Sequence, residues 1–123
     1  MRTNRLLTLL FASWGLLPMV PARSQQEAIP ARLQRDFQSV VKPFLNTYCV
    51  SCHGPRDPKA KFDLSGFSTL DAVRQDLGHW QLILERLNAD EMPPGDADLR
   101  PAPQVRTDVI RWIRALRRYE AQL

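Results

Sequence analysis

The chain has 123 residues, 44% of them hydrophobic, and its 17 Lys and Arg against 13 Asp and Glu give a formal net charge of +4. This length limits the chain to one small domain. Three of the basic residues lie within residues 1–24, so the remainder carries 14 Lys and Arg against 13 acidic residues, and this near balance argues against a nucleic-acid partner.

Residues 1–24 have the composition of a secretory signal peptide. Arg2 and Arg5 precede an apolar block from Leu6 to Val20, and small residues follow up to Ser24. The block is shorter than the roughly 20 residues that span a bilayer. We therefore predict cleavage after Ser24, a periplasmic or otherwise exported protein, and no membrane span after cleavage. An uncleaved anchor is the alternative.

The next segment divides into a flexible lead-in, predicted over residues 25–35, and a domain predicted over residues 36–121. Apolar residues on helical spacing begin near the boundary: Leu33, Phe37, Val40, Val41, Phe44, Leu45 and Tyr48. Pro43 interrupts this pattern and is best placed in the first turn of a second helical piece, where its missing N–H has no helical partner to lose. Two consecutive helical pieces are therefore expected.

The second helical piece runs into Cys49-Val50-Ser51-Cys52-His53, a Cys-x-x-Cys-His run typical of covalent c-type haem attachment. At a helix start, Cys49 and Cys52 would share one face, so both thiols could reach one edge of a haem. His53 would then offer Nε2 to the iron. Its Nδ1 proton needs an acceptor, for which we predict a backbone carbonyl of the following loop.

Three other interpretations of this run were weighed against haem. A zinc site could use Cys49, Cys52, His53 and His79, but adjacent ligands fit a tetrahedron poorly and no second Cys-x-x-Cys is present. A thioredoxin-like dithiol needs strands alternating with helices, whereas these flanks are helical. A disulfide between the two cysteines would close a small loop and stabilise the fold little. Covalent haem is the interpretation we favour.

The segment after His53 is rich in Pro, Gly and Asp, which predicts an irregular loop over residues 54–66 with Leu64 as its main apolar contact. A short helix is expected from Ser68 to about Gln75, with Ser68 as its cap. A further amphipathic helix should contain Trp80 and end near Asn88.

Met92 lies between that helix and a pair of prolines, in Glu91-Met92-Pro93-Pro94. A residue before proline is biased toward extended backbone, and two prolines stiffen the loop. The other two methionines fall within residues 1–24, so Met92 is the natural sixth ligand of a haem iron. His79 is the rival ligand, although its position at a helix start favours a surface or capping role.

The clearest helix is predicted from Pro103 to Ala121, with Pro103 in its first turn. Its apolar stripe comprises Val105, Val109, Trp112, Ile113 and Leu116. Its other faces carry Arg106, Arg111, Arg114, Arg117 and Arg118. These arginines fit a solvated surface or a docking patch for an acidic redox partner, and we favour the former.

The order of these features resembles a class I monohaem cytochrome c, and within that fold it is most similar to the planctomycete-type cytochrome c domain. The matching residues are Val41-Lys42-Pro43-Phe44-Leu45, Cys52-His53-Gly54, Glu91-Met92-Pro93-Pro94 and Trp112-Ile113. The resemblance implies a small all-α fold of three to five helices around one haem, with the first and last helices packed together. It also implies thioethers at Cys49 and Cys52 and iron ligation by His53 and Met92. That domain often heads a longer exported protein, so a stand-alone carrier and a fragment both stay open.

Filled axial positions disfavour catalysis at iron, so we predict an electron-transfer protein rather than an enzyme. One covalent haem c is the expected cofactor, and monomeric protein with transient redox partners is the expected state. Two alternatives are a redox enzyme subunit or peroxidase-like domain in which Met92 dissociates, and a haem-based sensor module.

Overall fold

A computed structural model describes residues 29–123, and its helices follow one another in a simple order. They are α1 (Ala31–Asp36), a π-helical segment (Phe37–Val41), α2 (Lys42–Tyr48), α3 (Leu70–Arg74), α4 (Leu77–Asn88) and α5 (Pro103–Glu120). No strand occurs within residues 29–123, and the predicted all-α fold is confirmed. The predicted signal peptide, and residues 25–28 of the lead-in, lie outside the described part of the chain.

The first two α-helices form one continuous rod because the π-helical segment joins them directly. Pro43 lies in the first turn of α2, as predicted. Its ring and its missing N–H disrupt the regular i to i−4 hydrogen bonds of an α-helix, and a wider turn immediately before it accommodates both. The predicted two pieces are therefore present, but they are not separated.

The packed domain begins earlier than residue 36. Residues 31–35, assigned to the lead-in, are helical, and Leu33 is buried in the core. The carbonyl of Leu33 also accepts a hydrogen bond of 3.0 Å from Trp112 Nε1 on α5. The domain boundary therefore moves to Ala31, and the sequence pattern placed it too late because Leu33 is the single buried residue of α1.

A cluster of aromatic rings packs α5 against the π-helical segment and α4. Trp112 lies 5.7 Å from Phe37 and 5.7 Å from Trp80, measured between ring centroids. The pairs bring α5 against the π-helical segment and α4, and such contacts add to the stabilisation from burial itself. The packing of the first and last helices that the resemblance implied is therefore confirmed.

Two details differ from the predictions. Helix α3 begins at Leu70, and its cap is Thr69 rather than Ser68, with Thr69 Oγ1 accepting from the Ala72 N–H at 3.2 Å. Val105, assigned to the apolar stripe of α5, is exposed, whereas the other four members are buried. It lies in the first turns of α5, where the helix extends beyond the core. Within residues 29–123, every helix is too short or too polar to cross a membrane.

Candidate haem-attachment site

The Cys-x-x-Cys-His run forms a single turn at the end of α2. Cys49 follows the last residue of the helix, and its carbonyl accepts hydrogen bonds from the N–H groups of Cys52 (3.1 Å) and His53 (2.9 Å). The second helical piece runs into this turn, as predicted, so the run lies at a helix end rather than at a helix start. The spacing argument is unaffected, because these hydrogen bonds give the turn a helical pitch.

Both thiols are free, with Cys49 half-buried and Cys52 exposed. Burial, together with the neighbouring charge of Cys52, raises the pKa of the Cys49 thiol to about 12. A reactive redox dithiol needs a thiol whose pKa is lowered toward neutrality. The environment of Cys49 therefore makes this thiol a poor nucleophile.

Gly54 closes the turn because no side chain fits there. A Cβ atom at this position would lie 2.5 Å from the carbonyl oxygen of Val50, a backbone atom that cannot move aside cheaply. The close approach explains why glycine follows His53 directly. It lets the chain reverse direction tightly over the attachment turn.

His53 is held by the histidine loop, which we define as residues 54–66. Its Nδ1 lies 3.1 Å from the carbonyl oxygen of Lys59 and 3.1 Å from that of Phe62. Both neighbours are acceptors, so Nδ1 must carry the proton and donate it. Nε2 therefore keeps its lone pair, the state in which an imidazole binds a metal ion. The predicted carbonyl acceptor in this loop is confirmed.

Main-chain hydrogen bonds wrap the histidine loop around the attachment turn. Lys59 N–H donates to the Cys52 carbonyl at 2.9 Å, and Leu64 N–H donates to the His53 carbonyl at 2.7 Å. The loop has the predicted irregular form, apart from one turn at Lys59–Lys61, and Leu64 is buried as predicted. Ala60 and Lys61 adopt left-handed backbone angles, with φ of 56° and 55°, and these sharp turns let neighbouring carbonyls face inward.

His79 is occupied by a capping arrangement at the start of α4. Asp76 caps the helix by accepting from the His79 N–H, and its second oxygen lies 2.6 Å from His79 Nδ1. The His79 ring stacks on Phe62 at 4.9 Å between centroids. Phe62 also supplies a carbonyl to His53 Nδ1, so His79 is tied to the histidine loop. The His79 side chain therefore lies at the helix start, in contact with the capping residue Asp76 and with Phe62.

Met92 lies at the other end of α4, on a segment that we call the methionine loop, residues 90–100. The Met92 side chain is 39% exposed, whereas Pro93 is buried. Helix α4 thus connects two loops: its first turn contacts the histidine loop, and its last turn leads into the methionine loop. The attachment turn unites Cys49, Cys52 and His53, and Met92 belongs to this separate segment.

The buried indole N–H of Trp80 is relevant to whether a haem fits these residues. Its ring is buried, yet its Nε1–H has no hydrogen-bond partner among residues 29–123. A buried donor without an acceptor is costly, and a carboxylate or other acceptor beside it would remove that cost. A haem propionate is such an acceptor. Two free thiols, an imidazole with an open Nε2 and an orphaned buried donor together fit a covalent haem.

Most of the arginines on α5 make contacts within the molecule. Arg106 pairs with Asp90, Arg111 with Asp108, Arg114 with the Asn88 side chain, and Arg117 with the Leu77 carbonyl. These contacts tie α5 to α4 and to the methionine loop. They favour the solvated-surface interpretation over a patch reserved for a partner.

The structure does not support the zinc-site alternative. Within residues 29–123, no group of three or more His, Cys, Asp or Glu side chains converges as a metal site.

Sequence reasoning missed the roles of Asp90, Arg100 and Arg106, which meet at the base of the methionine loop. Asp90 and Arg106 are distant in sequence, so no local pattern could pair them.

An all-α domain whose first helical rod ends in a Cys-x-x-Cys-His turn, with the histidine held through Nδ1, has the arrangement expected of a c-type cytochrome. Residues 49–96 match the family model described as Planctomycete cytochrome C, and the helical fold is consistent with a cytochrome c domain of that type. The matched stretch includes both the attachment turn and Met92. Neither the curated proteins nor the solved structures include a match to the chain.

Proposed function

We propose that the protein is an exported electron carrier, with one haem c attached through Cys49 and Cys52 and its iron held between His53 and Met92. The observation that carries the proposal is the pair of carbonyls at His53 Nδ1, which leaves Nε2 free for the iron. When bound, the haem supplies a one-electron ferric and ferrous couple.

The protein's own residues influence the reduction potential of that couple. His53 donates through Nδ1 to two neutral carbonyls rather than to a carboxylate, so the imidazole keeps moderate basicity. A thioether at the sixth position favours the ferrous state more than a second imidazole does. Both effects favour a raised potential, as expected for a carrier rather than for a site that activates oxygen.

A second candidate is a redox enzyme or sensor in which Met92 leaves the iron. The observation that favours it is the 39% exposure of Met92, since an exposed loop is displaced more easily than a buried one. We retain the carrier as the primary proposal because the same loop is anchored by ion pairs at its base.

Export and partner binding complete the proposal. The composition of residues 1–24 supports export through a signal peptide. Carriers exchange electrons through short-lived contacts, so we propose small, transient interfaces with redox proteins and a monomeric carrier.

Production of the full chain in a bacterial host with haem-attachment machinery, followed by acid–organic extraction, tests the covalent link. Haem should stay with the polypeptide and give a low-spin spectrum in both oxidation states. The Cys49→Ala/Cys52→Ala double variant, made in parallel, should release its haem or fail to hold any. Extractable haem in the wild-type protein would overturn the proposal and return the two cysteines to a redox or metal role.

A further inference from the structure

The end of α4 has an unexpected residue at a position that favours glycine. The N–H groups of Asp90 and Glu91 donate to the carbonyls of Leu87 (3.3 Å) and Arg86 (3.0 Å). This is the Schellman arrangement, in which the residue after the helix cap adopts left-handed backbone angles and is usually glycine. Asp90 occupies it with φ of 56°. Glycine would suit the backbone better, so the carboxylate calls for a separate explanation.

The carboxylate of Asp90 binds two arginines at once. Its Oδ1 accepts a hydrogen bond from Arg100 Nη2 at 2.6 Å and forms an ion pair with Arg106 Nη1. Arg100 lies at the far end of the methionine loop, and Arg106 lies in the first turns of α5. One oxygen atom thus joins the two ends of the loop to each other and to the last helix.

Arg106 is the most buried member of this anchor. Its side chain is only 14% exposed, and a guanidinium so far removed from water needs a compensating charge. Arg100 is also partly shielded, with 30% of its side chain exposed. Asp90 itself is 60% exposed, so salt can still screen both pairs.

The loop closed by this anchor carries Met92 two residues after Asp90. Movement of Met92 away from its position pulls directly on Asp90, because Glu91 alone separates them. Glu91 itself pairs with Arg86 on α4, which adds a second, more exposed tether. A displacement of the Met92 backbone therefore stretches the Asp90 ion pairs.

We infer that Asp90 is a positioning residue for the sixth iron ligand, holding the methionine loop closed through Arg100 and Arg106. The inference rests on the proposed function, since it assumes that Met92 ligates the iron. It goes further because it states that an ion-pair anchor outside the Met92-Pro93-Pro94 turn lengthens the lifetime of the iron–sulfur bond. Asp90 acts through Met92 and does not itself touch the cofactor.

The test measures carbon monoxide uptake by the reduced, haem-loaded full chain, because carbon monoxide competes with Met92 for the iron. Two substitutions separate the carboxylate from the backbone. Asp90→Asn keeps the shape and the tolerance for left-handed angles but removes the charge, whereas Asp90→Gly relaxes the backbone and removes the whole side chain. Both variants should take up carbon monoxide at least tenfold faster than the wild-type protein.

The matched control is Asp108→Asn on α5. Asp108 also accepts from two side chains through one oxygen, Gln104 at 2.8 Å and Arg111 at 2.7 Å, but it lies outside the methionine loop. Carbon monoxide uptake by this variant should stay within twofold of the wild-type rate. Arg100→Gln provides a milder change of the same anchor, should the Asp90 variants fold poorly, and should raise the rate in the same direction.

A Met92→Ala background distinguishes positioning from general destabilisation. With Met92 absent, the iron is open, and adding Asp90→Asn should leave the uptake rate unchanged within twofold. If Met92→Ala alone does not open the iron, the ligand assignment in the proposed function fails, and the inference fails with it. If Met92→Ala opens the iron but none of the anchor variants changes uptake, the inference alone is overturned.

Discussion

The histidine loop and the methionine loop flank the same helix, α4, but different kinds of bond hold them. Main-chain groups fix the histidine loop: the Leu64 N–H bonds the His53 carbonyl, and two carbonyls accept from the His53 ring. In the methionine loop, main-chain hydrogen bonds hold Asp90 and Glu91 to the end of α4, but side-chain charges join the two ends of the loop, through Asp90 with Arg100 and Arg106. The first arrangement survives most side-chain changes outside the core, whereas the second depends on particular side chains.

This difference has a functional meaning for an electron carrier. A histidine that never leaves the iron keeps the cofactor oriented in both oxidation states. In the proposed carrier, a methionine on a loop held by ion pairs would stay on the iron in normal use and would be the ligand more open to change. The two loops should thus differ in how easily a side-chain substitution alters the ligand that each one carries.

The largest effect is expected at the apolar anchor of the histidine loop. Leu64 is buried, so Leu64→Ala should lower the free energy of unfolding by about 2–4 kcal/mol through lost contacts and a residual cavity. Chemical denaturation of the haem-loaded protein measures this loss. Leu82→Ala, at a side chain that is 50% exposed, is the control and should change stability by less than about 0.5 kcal/mol. Equal losses in the two variants would contradict the assignment of Leu64 to the core.

A somewhat smaller effect is expected at the tight turn before that loop. In Gly54→Ala the new Cβ meets the Val50 carbonyl oxygen, and the forced backbone shift should cost about 1–3 kcal/mol. Gly66→Ala is the matched control, because a Cβ there has no neighbour within 4 Å. Thermal unfolding followed by circular dichroism should show a lower midpoint for the first variant only. An unchanged midpoint in Gly54→Ala would mean that the turn tolerates a side chain.

Salt should separate the two loops without any substitution. Raising the ionic strength from about 0.01 M to about 1 M shortens the Debye length from about 30 Å to about 3 Å. The ion pairs of the methionine loop should weaken by up to about 1 kcal/mol, which corresponds to about fivefold faster carbon monoxide uptake by the reduced protein. Amide hydrogen exchange at Leu64, in the histidine loop, should stay unchanged. A larger response at Leu64 than at the iron would reverse the comparison.

The smallest effect is a gain in stability from relieving the backbone of the histidine loop. Ala60 has φ of 56°, and the left-handed conformation costs a non-glycine residue about 1–2 kcal/mol. Because glycine loses more entropy on folding, Ala60→Gly should stabilise the protein by only about 0.5 kcal/mol. The opposite sign is expected for Ala72→Gly within α3, at a loss of about 1 kcal/mol. Paired denaturation curves of the two variants provide the measurement.

The parts of the fold that sequence could predict are those encoded by local pattern. Periodic apolar residues located α4 and α5, proline marked the starts of α2 and α5, and the Cys-x-x-Cys-His spacing identified the attachment turn. The carbonyl acceptor for His53 was also predictable, because an imidazole that offers Nε2 to a metal needs an acceptor at Nδ1 and the next segment is a loop.

The features that sequence could not predict depend on contacts between distant residues. The helical state of residues 31–35 depends on Leu33 meeting Trp112, which lies 79 positions away. The anchor of the methionine loop depends on Arg106 reaching back to Asp90 across the loop. The choice of Thr69 over Ser68 as the cap of α3 was a local matter, but both residues have suitable hydroxyl groups and the pattern does not separate them.

Carbon monoxide binding to the reduced, haem-loaded wild-type protein and to Met92→Ala is the most direct test of the central claim, that His53 and Met92 together fill the axial positions of an electron-carrying haem. The account predicts slow carbon monoxide uptake by the wild-type protein, because Met92 must first leave the iron, and fast uptake with a lowered reduction potential in Met92→Ala. Ready binding by the wild-type protein, or identical spectra for the two proteins, would contradict it.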